Sequence, residues 1–424
     1  MSGPVPSAAR DVRLLFATRA VRLFAYGLVS VVLVLHLAAA GLSESRIGLL
    51  LTLTLLGDTA VSLALTTRAD RAGRRGTLLL GAALMILAGA VFAATSDFAL
   101  LLLAATVGVV SPAGNEVGPF LAVEQAALSQ ALAARRRTEA FAWYQLTGAF
   151  ATALGALAGG ALASRLQRAG LAPLASYRAV MLGYAALGAI LLGGFTLLSP
   201  AAEAPAATSP GLARGRLGLG RSRGVVLRLS ALFSVDAFAG GFVVQAFVAW
   251  WFHRRFGADP ALLGRIFFGA NLLAGLSALS AAWVARRIGL VRTMVFTHLP
   301  SNVLLFLVPL MPTLPLAIAA LFLRFSISQM DVPTRQSYTM AVVDPDERSA
   351  AAGVTGIART VGAALSPIAA GPLYAVPALA SLPFFIAGGL KIAYDLALFA
   401  AFRLRPPPDE RAGASRRAAS APRH

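Results

Sequence analysis

The chain has 424 residues, of which 58% are hydrophobic and only 13% charged, whereas soluble domains carry roughly 25% charge; most of it therefore belongs in lipid. No cysteine occurs, which excludes disulfides, thiolate metal sites and cysteine nucleophiles. The net charge of +19 would suggest nucleic acid in a soluble protein, but here the arginines sit in short loops between apolar segments, so no nucleic-acid partner is expected.

In chain order the apolar segments read as twelve membrane helices, an all-α integral membrane fold. The first six lie at about 12–40, 45–67, 77–94, 98–128, 138–164 and 177–198. Residues 200–224 then break the pattern with Pro, Ala, Gly and Arg, as a polar linker does. The second six lie at about 225–252, 261–284, 291–310, 314–343, 349–374 and 382–402. The expected domains are a six-helix bundle at 1–199, a cytoplasmic linker at 200–224, a second bundle at 225–402 and a disordered tail at 403–424. The first helix is too long for a cleaved leader and carries Arg19 and Arg22.

Orientation follows from the arginines. With the N-terminus inside, cytoplasmic loops hold Arg71, Arg74, Arg75, Arg135, Arg136, Arg137, Arg286, Arg287, Arg292 and the linker arginines. The other side holds Arg46, Arg165, Arg168, Arg178, Arg254, Arg255 and little more. This asymmetry puts both termini in the cytoplasm. Only Lys391 among the 37 basic residues is a lysine, a bias expected of a GC-rich bacterial genome and hence of a multi-pass protein of the bacterial inner membrane.

The two halves echo each other. Ala69-Asp70-Arg71-Ala72-Gly73-Arg74-Arg75-Gly76-Thr77 follows the second span, and Ala285-Arg286-Arg287-Ile288-Gly289-Leu290-Val291-Arg292-Thr293 follows the eighth. Gly118-Pro119 in the fourth span has its counterpart in Val332-Pro333 of the tenth, with Glu116 and Asp331 just before. Gly148, Gly155, Gly159 and Gly160 mark the fifth span, and Gly353, Gly356, Gly362 and Gly371 the eleventh; small residues let membrane helices approach closely. Paired helical halves are the usual build of a secondary transporter.

On these residues the chain resembles the major facilitator superfamily over nearly its whole length. Asp70-Arg71-Ala72-Gly73-Arg74-Arg75 is similar to that family's signature loop between helices two and three, with Thr66 where the signature has its leading Gly. Pro333-Thr334-Arg335-Gln336 and Asp346-Glu347-Arg348 resemble family text for the tenth helix and its following loop. The arginine typical of proton-coupled exporters in the fourth helix is missing, with Val109 or Val110 in its place, while the equivalent position of the second half holds Arg324. The resemblance implies two pseudo-symmetric bundles with helices one, four, seven and ten lining a central cavity, and it extends to the drug and metabolite exporters among the many substrate classes that this fold carries.

An ionisable group in hydrocarbon costs a few kcal/mol or more, so it is paired, faces a cavity or is functional. Asn115, Glu116 and Glu124 lie in the fourth span, Asp236 and Gln245 in the seventh, and Arg324, Gln329, Asp331 and Arg335 in the tenth. Arg324, Asp331 and Arg335 share a helix face, and Asp331 can pair with Arg335. Glu116 is the expected proton carrier, because it sits deep beside Pro119 and shows no basic partner in sequence; Asp331 and Asp236 stand in reserve. Arg22, Tyr26, Asn115, Gln245, Arg324 and Gln329 are the expected cavity residues. Asp58 and Arg359, at similar depth on spans two and eleven, are expected to form an inter-half ion pair that gates with Asp70, Arg71, Gly73, Arg74 and Arg75. Asp70 is expected near the N-terminal end of span eleven at Ser349.

The histidines His36, His253, His298 and His424 have no metal-ligand spacing, and no phosphate-cradling glycine loop with a following lysine occurs, so neither metal, cofactor nor ATP motor is expected. The sequence thus reads as a monomeric, proton-coupled exporter of a small organic or amphipathic solute, working by alternating access. Uptake or exchange of an anionic metabolite held by Arg22 and Arg324 is the alternative. A membrane receptor or enzyme would need an appended domain or a catalytic cluster, and neither is visible. A reporter that is active only outside the membrane, fused after Arg411, is expected to stay silent; activity there would overturn the orientation.

Overall fold

The structure is a computed structural model and describes residues 6–132, 134–203, 220–344 and 347–403, with the side chains of 6–8, 67–68, 70–72, 134–138 and 349 outside the description. Among the described residues it is all-helical, with fifteen α-helices. Spans one to three are α1 (Pro6–Ala39), α2 (Glu44–Ala72) and α3 (Arg74–Ala94). The fourth is split into α4 (Phe98–Val107) and α5 (Phe120–Ala131), followed by α6 (Ala134–Arg168) and α7 (Pro173–Thr196). The seventh is split into α8 (Arg223–Gly241) and α9 (Gln245–Phe256), followed by α10 (Pro260–Ile288) and α11 (Leu290–Leu310). The tenth is split into α12 (Leu314–Phe325) and α13 (Asp331–Val342), followed by α14 (Arg348–Ala375) and α15 (Leu382–Phe402). Fifteen helices with three spans divided give the twelve spans expected.

The continuity expected of spans four, seven and ten is corrected by these breaks. The longest, 108–119, contains Pro112 and ends in Pro119, and it turns through Gly114 and Gly118 at φ +69° and +80°, a region that L side chains rarely adopt. Gly240 and Gly241 end α8, and residues 326–330 separate α12 from α13.

The chain divides into two compact units that do not follow the sequence halves. The first comprises Met1–Pro210, Phe242–Leu272 and Ala364–Pro383. Within it α1 packs along α6 with backbone in contact: a Cβ on Gly155 would lie 1.9 Å from the Phe24 carbonyl oxygen, and one on Gly27 2.1 Å from that of Thr152. Segments from the second half of the sequence pack here in the same manner. Gly48 meets Gly371 and Pro367, Gly160 meets Gly264 and Pro260, and the Ile368 N–H donates to Thr52 Oγ1 at 2.9 Å.

The second unit comprises Gly211–Gly241, Leu273–Ala363 and Phe384–His424. Its core joins Leu229 and Phe233 of α8, Met294 and Val295 of α11, Tyr338 of α13 and Tyr394, Leu398 and Phe402 of α15. Each unit also carries a glutamate that caps a helix start. Glu203 accepts the backbone N–H groups of Arg74 (2.6 Å) and Arg75 (3.1 Å) at the start of α3. Glu347 accepts those of Gly220 (2.7 Å), Arg221 and Ser222 (both 3.0 Å) at the start of α8. Burial alone would raise the Glu347 carboxyl; the backbone N–H groups of Ser222, Gly220 and Arg221 outweigh it and hold the group below its ordinary value.

Gly155→Val is expected to destabilise the protein by about 1–3 kcal/mol, because the α1–α6 seam must part to admit the side chain. Thermal unfolding in detergent checks this; an unchanged midpoint would contradict it.

Candidate functional site

In the first unit, Arg19, Arg22 and Tyr26 stand on one face of α1, three and four residues apart. Arg22 is fully buried and grips Glu124 of α5 with both terminal nitrogens, at 2.6 and 2.7 Å. Its Nε donates to Glu116 Oε1 at 2.9 Å. Arg19 donates to Glu116 Oε2 (2.8 Å), the Tyr144 carbonyl (2.7 Å) and Gln145 Oε1 (2.6 Å). The Tyr144 hydroxyl closes the cluster by donating to Glu124. Two arginines and two glutamates thus neutralise one another. The guanidinium of Arg19 lies 4.2 Å from the Tyr144 ring centre and that of Arg22 4.6 Å from the Phe120 ring centre.

The cluster is anchored in the unwound segment 108–119, whose backbone groups find side-chain partners. The Tyr26 hydroxyl donates to the Val117 carbonyl (3.0 Å), the Tyr184 hydroxyl to that of Val109, and Thr152 Oγ1 to that of Gly114 (3.3 Å). The Gly118 N–H donates to Asp58 Oδ1 of α2 at 2.6 Å, and the Ala246 N–H of α9 to the Pro112 carbonyl at 3.1 Å. Non-helical backbone at membrane depth is tolerated only when satisfied in this way or when it lines a watery cavity. Asn115, in the middle of the segment, is exposed, and Glu116 is partly so.

The second unit holds a larger cluster around Asp236 of α8. Its carboxylate takes Lys391 Nζ of α15 at 2.5 Å, Arg335 Nη1 of α13 at 3.3 Å and Arg359 Nη1 of α14 at 3.6 Å. Arg335 also pairs with Asp331, one turn earlier, at 3.0 Å. His298 of α11 puts Nδ1 2.9 Å from Asp395 Oδ1 of α15, with Nε2 3.8 Å from Asp236 Oδ1. Arg324, at the end of α12, interacts with Asp236 and Asp331 through space. Among the described residues its buried Nε has no hydrogen-bond partner, and neither has Arg359 Nη1, although the Arg359 side chain is 34% exposed.

Several expectations need correction. Glu116 was expected to lack a basic partner, with Arg22 the one candidate to supply it; it has two, because α1 faces the unwound segment and brings Arg19 and Arg22 onto one carboxylate. Arg22 was expected to be free for an anion and is instead saturated by Glu116 and Glu124. Within its own unit Asp58 accepts from Gly118 and Ser62, and within the other Arg359 sits beside Asp236. Tyr26 is fully buried with its hydroxyl occupied by the Val117 carbonyl, so it supports the backbone rather than lining a cavity.

Other expected residues have clear positions. Gln245 donates to Ser30 Oγ at 2.7 Å, and the Gln329 N–H to Ser277 Oγ at 3.3 Å. Gly73 takes φ +97°, while Arg74 reaches Gln130 and the Ala202 carbonyl and Arg75 the Thr196 carbonyl. The side chains of Asp70, Arg71 and Ser349 lie outside the described residues, as do Asp346 and most of the linker and tail.

Sequence reasoning passed over Lys391, Asp395, His298 and Asn302. One signal was available: the chain's single lysine stands four residues before an aspartate inside an apolar span, which is one helix face.

Residues 15–367 match the family model described as Major Facilitator Superfamily. A membrane protein of Saccharomyces cerevisiae, YJR124C, is 34% identical over 425 residues, covering 93% of this chain and 94% of its own length. Among solved structures, a bacterial homologue of the human lysosomal transporter Spinster, inward-facing and occupied, aligns with a TM-score of 0.70 at 16% identity over 94% of this chain and 96% of that one. The nucleoside transporter NupG aligns with a TM-score of 0.70 at 14% identity, over 92% and 98%. A D-xylose–proton symporter aligns at 0.68 and 16% identity, over 92% and 97%. At these identities the likeness to the solved structures is one of fold.

Arg22→Met is expected to cost about 3–5 kcal/mol, because it leaves Glu124 buried and without its guanidinium. The double variant Arg22→Met with Glu124→Gln is expected to recover much of that loss. Thermal unfolding of the three proteins in detergent checks both; equal losses in the single and double variants would contradict the pairing.

Proposed function

This chain belongs to the Major Facilitator Superfamily, and from that premise we propose a proton-coupled secondary transporter that exports a small organic or amphipathic solute by alternating access. The family and the fold make the protein a membrane transporter and not an enzyme. The observation that carries the finer reading is the coincidence of broken spans with buried charge. Glu116 lies within the break of the fourth span, Arg324 and Asp331 flank that of the tenth, and Asp236 stands close before that of the seventh. Discontinuous membrane helices are where transporters place substrate and coupling-ion sites. We take the sequence halves 1–199 and 225–402 as the moving bundles. The glycine contacts of Gly48 with Gly371 and Gly160 with Gly264 are then the seam that must part on the outer side.

Glu116 is engaged by Arg19 and Arg22, and in this reading the principal proton site lies elsewhere. Asp70 and its neighbours keep the gating role, and Asp58 joins them by tying α2 to the unwound segment. Both termini lie on the cytoplasmic side in this reading.

A second reading, an anionic solute, is favoured by the buried Arg324 Nε and Arg359 Nη1, which lack hydrogen-bond partners. These two arginines then replace the pair Arg22 and Arg324 expected from sequence. Guanidinium suits carboxylate or phosphate oxygens by offering paired donors.

Proteoliposomes assayed with a panel of carboxylates, amines and neutral solutes, with and without a pH gradient, test both readings. Gradient-driven flux is expected, and flux indifferent to the gradient would overturn the coupling. Asp70→Asn is expected to slow turnover of the transported solute with its binding affinity nearly intact. Should the solute be an anion, Arg359→Gln is expected to weaken its apparent affinity about tenfold or more, as for loss of a charge-assisted hydrogen bond; undiminished affinity would remove Arg359 from the site.

A further inference from the structure

We propose that His298 is a proton-binding switch whose protonation displaces Arg359 from Asp236, an assignment that rests on the proton-coupled reading above and supplies its proton site. The histidine is buried in α11, facing carboxylates from two other helices. Asp395 Oδ1 lies 2.9 Å and Asn302 Nδ2 3.2 Å from Nδ1; the carboxylate can only accept and is the nearer, so we assign the proton of the neutral ring to Nδ1, donating to Asp395. Asn302, one turn further along α11, donates to the other Asp395 oxygen at 2.9 Å and holds the carboxylate in place. The basic nitrogen is then Nε2, and it faces Asp236 Oδ1 at 3.8 Å.

A neutral Nε2 offers Asp236 only a lone pair. One proton added to Nε2 turns the ring into a cation with a donor on each side and an aspartate opposite each donor. No other bond forms or breaks in this step. Asp236 already serves Lys391 at 2.5 Å, Arg335 at 3.3 Å and Arg359 at 3.6 Å, so a fourth cation must displace one of them. Lys391 makes the shortest contact, and Arg335 is also held by Asp331 at 3.0 Å. Arg359 has the longest contact and the most exposed side chain of the three, and it is the one to leave.

The remaining groups facing this cluster are Arg324 on α12 and Tyr394 on α15, the latter edge-on to the imidazole at 6.1 Å. With His298 neutral, Arg324, Arg335, Arg359 and Lys391 face Asp236, Asp331 and Asp395, four positive charges against three negative. A freed Arg359 therefore carries surplus charge in a low-dielectric site. That is the condition under which it recruits an anionic group or moves toward water.

The test uses the full chain in detergent micelles, labelled with 13C at histidine Cε1, with the proton itself as probe. Four histidines give four signals, and the one lost in His298→Gln belongs to His298. That signal is expected to move as the pH is lowered and the ring takes up its proton. Asp395→Asn is expected to lower its midpoint by about one unit or more, since the imidazolium loses its carboxylate partner. Arg359→Gln is expected to raise it by about half a unit or more, since the competitor for Asp236 is gone. Opposite shifts are the mark of a switch; a packing role moves neither.

No titration between about pH 4 and about pH 10 would overturn the proposal. So would a midpoint left in place by Arg359→Gln, a variant of a partly exposed side chain that keeps the test open if Asp395→Asn fails to fold. These results leave the transport reading standing, because that reading falls only on gradient-indifferent flux in proteoliposomes.

Discussion

A guanidinium inside a bilayer has to bring its counter-charge with it, and Arg22 meets that demand with two carboxylates on one neighbouring span. Its side chain is wholly withdrawn from solvent, as is that of Glu124, so neither could stay ionised alone. The pairing has a structural corollary. Glu116 belongs to the unwound segment and Glu124 to α5, so one arginine of α1 holds both sides of the break at Pro119. Arg19 adds α6 to the same knot through the Tyr144 carbonyl and Gln145. Glycine lets the α1 and α6 backbones touch, and Gly148 leaves room for the Arg19 guanidinium, whose Nε lies 2.9 Å from where a Cβ would stand.

The unwound segment raises the same problem for backbone groups. Tyr26, Tyr184, Thr152 and Asp58 each supply one partner to a carbonyl or N–H that a continuous helix would have satisfied internally. The consequence for function is geometric. A helix presents side chains, but an opened turn also presents Asn115 and Glu116 at a place where the chain can change direction. In span seven Asp236 lies in the last turns of α8, before the break, and in span ten Asp331 opens α13, after it. In the second unit the counter-charges come from four different helices, and one aspartate is shared among several cations. Such over-subscription permits rearrangement where the balanced set of Arg19, Arg22, Glu116 and Glu124 does not.

The sequence makes the spans, the repeat and the acid-and-arginine inventory legible, because apolar length and rare charges survive without any knowledge of packing. The positions of Glu116, Asp236, Arg324 and Asp331 beside helix breaks were foreshadowed by Pro119, Gly240 and Gly241 and by the echo of Pro333. Partner choice was not legible. Whether Glu116 meets Arg19 depends on the rotation of α1 about its axis, and a rotation of one residue, 100°, would turn both arginines elsewhere. Similar hydropathy also hid the difference between an intact span and a split one, since residues 98–128 are equally apolar on either account. His298 was lost for a related reason: its partners come from α8 and α15, far away in sequence, and spacing arguments see only neighbours.

Lys391 carries one more consequence. In a chain where every other basic residue except histidine is arginine, a lone ammonium stands against Asp236 with the backbone of Gly240 behind it, where an ideal Cβ would come within 3.8 Å of Nζ. A compact ammonium differs here from the planar guanidinium found at the other basic positions. The protein thereby acquires a singular chemical handle. Amine-selective acylation has a single side-chain target, and that target is only 7% exposed. Its reactivity is governed by how often the Asp236 cluster loosens, which makes an ordinary labelling reagent a clock for a motion inside the membrane.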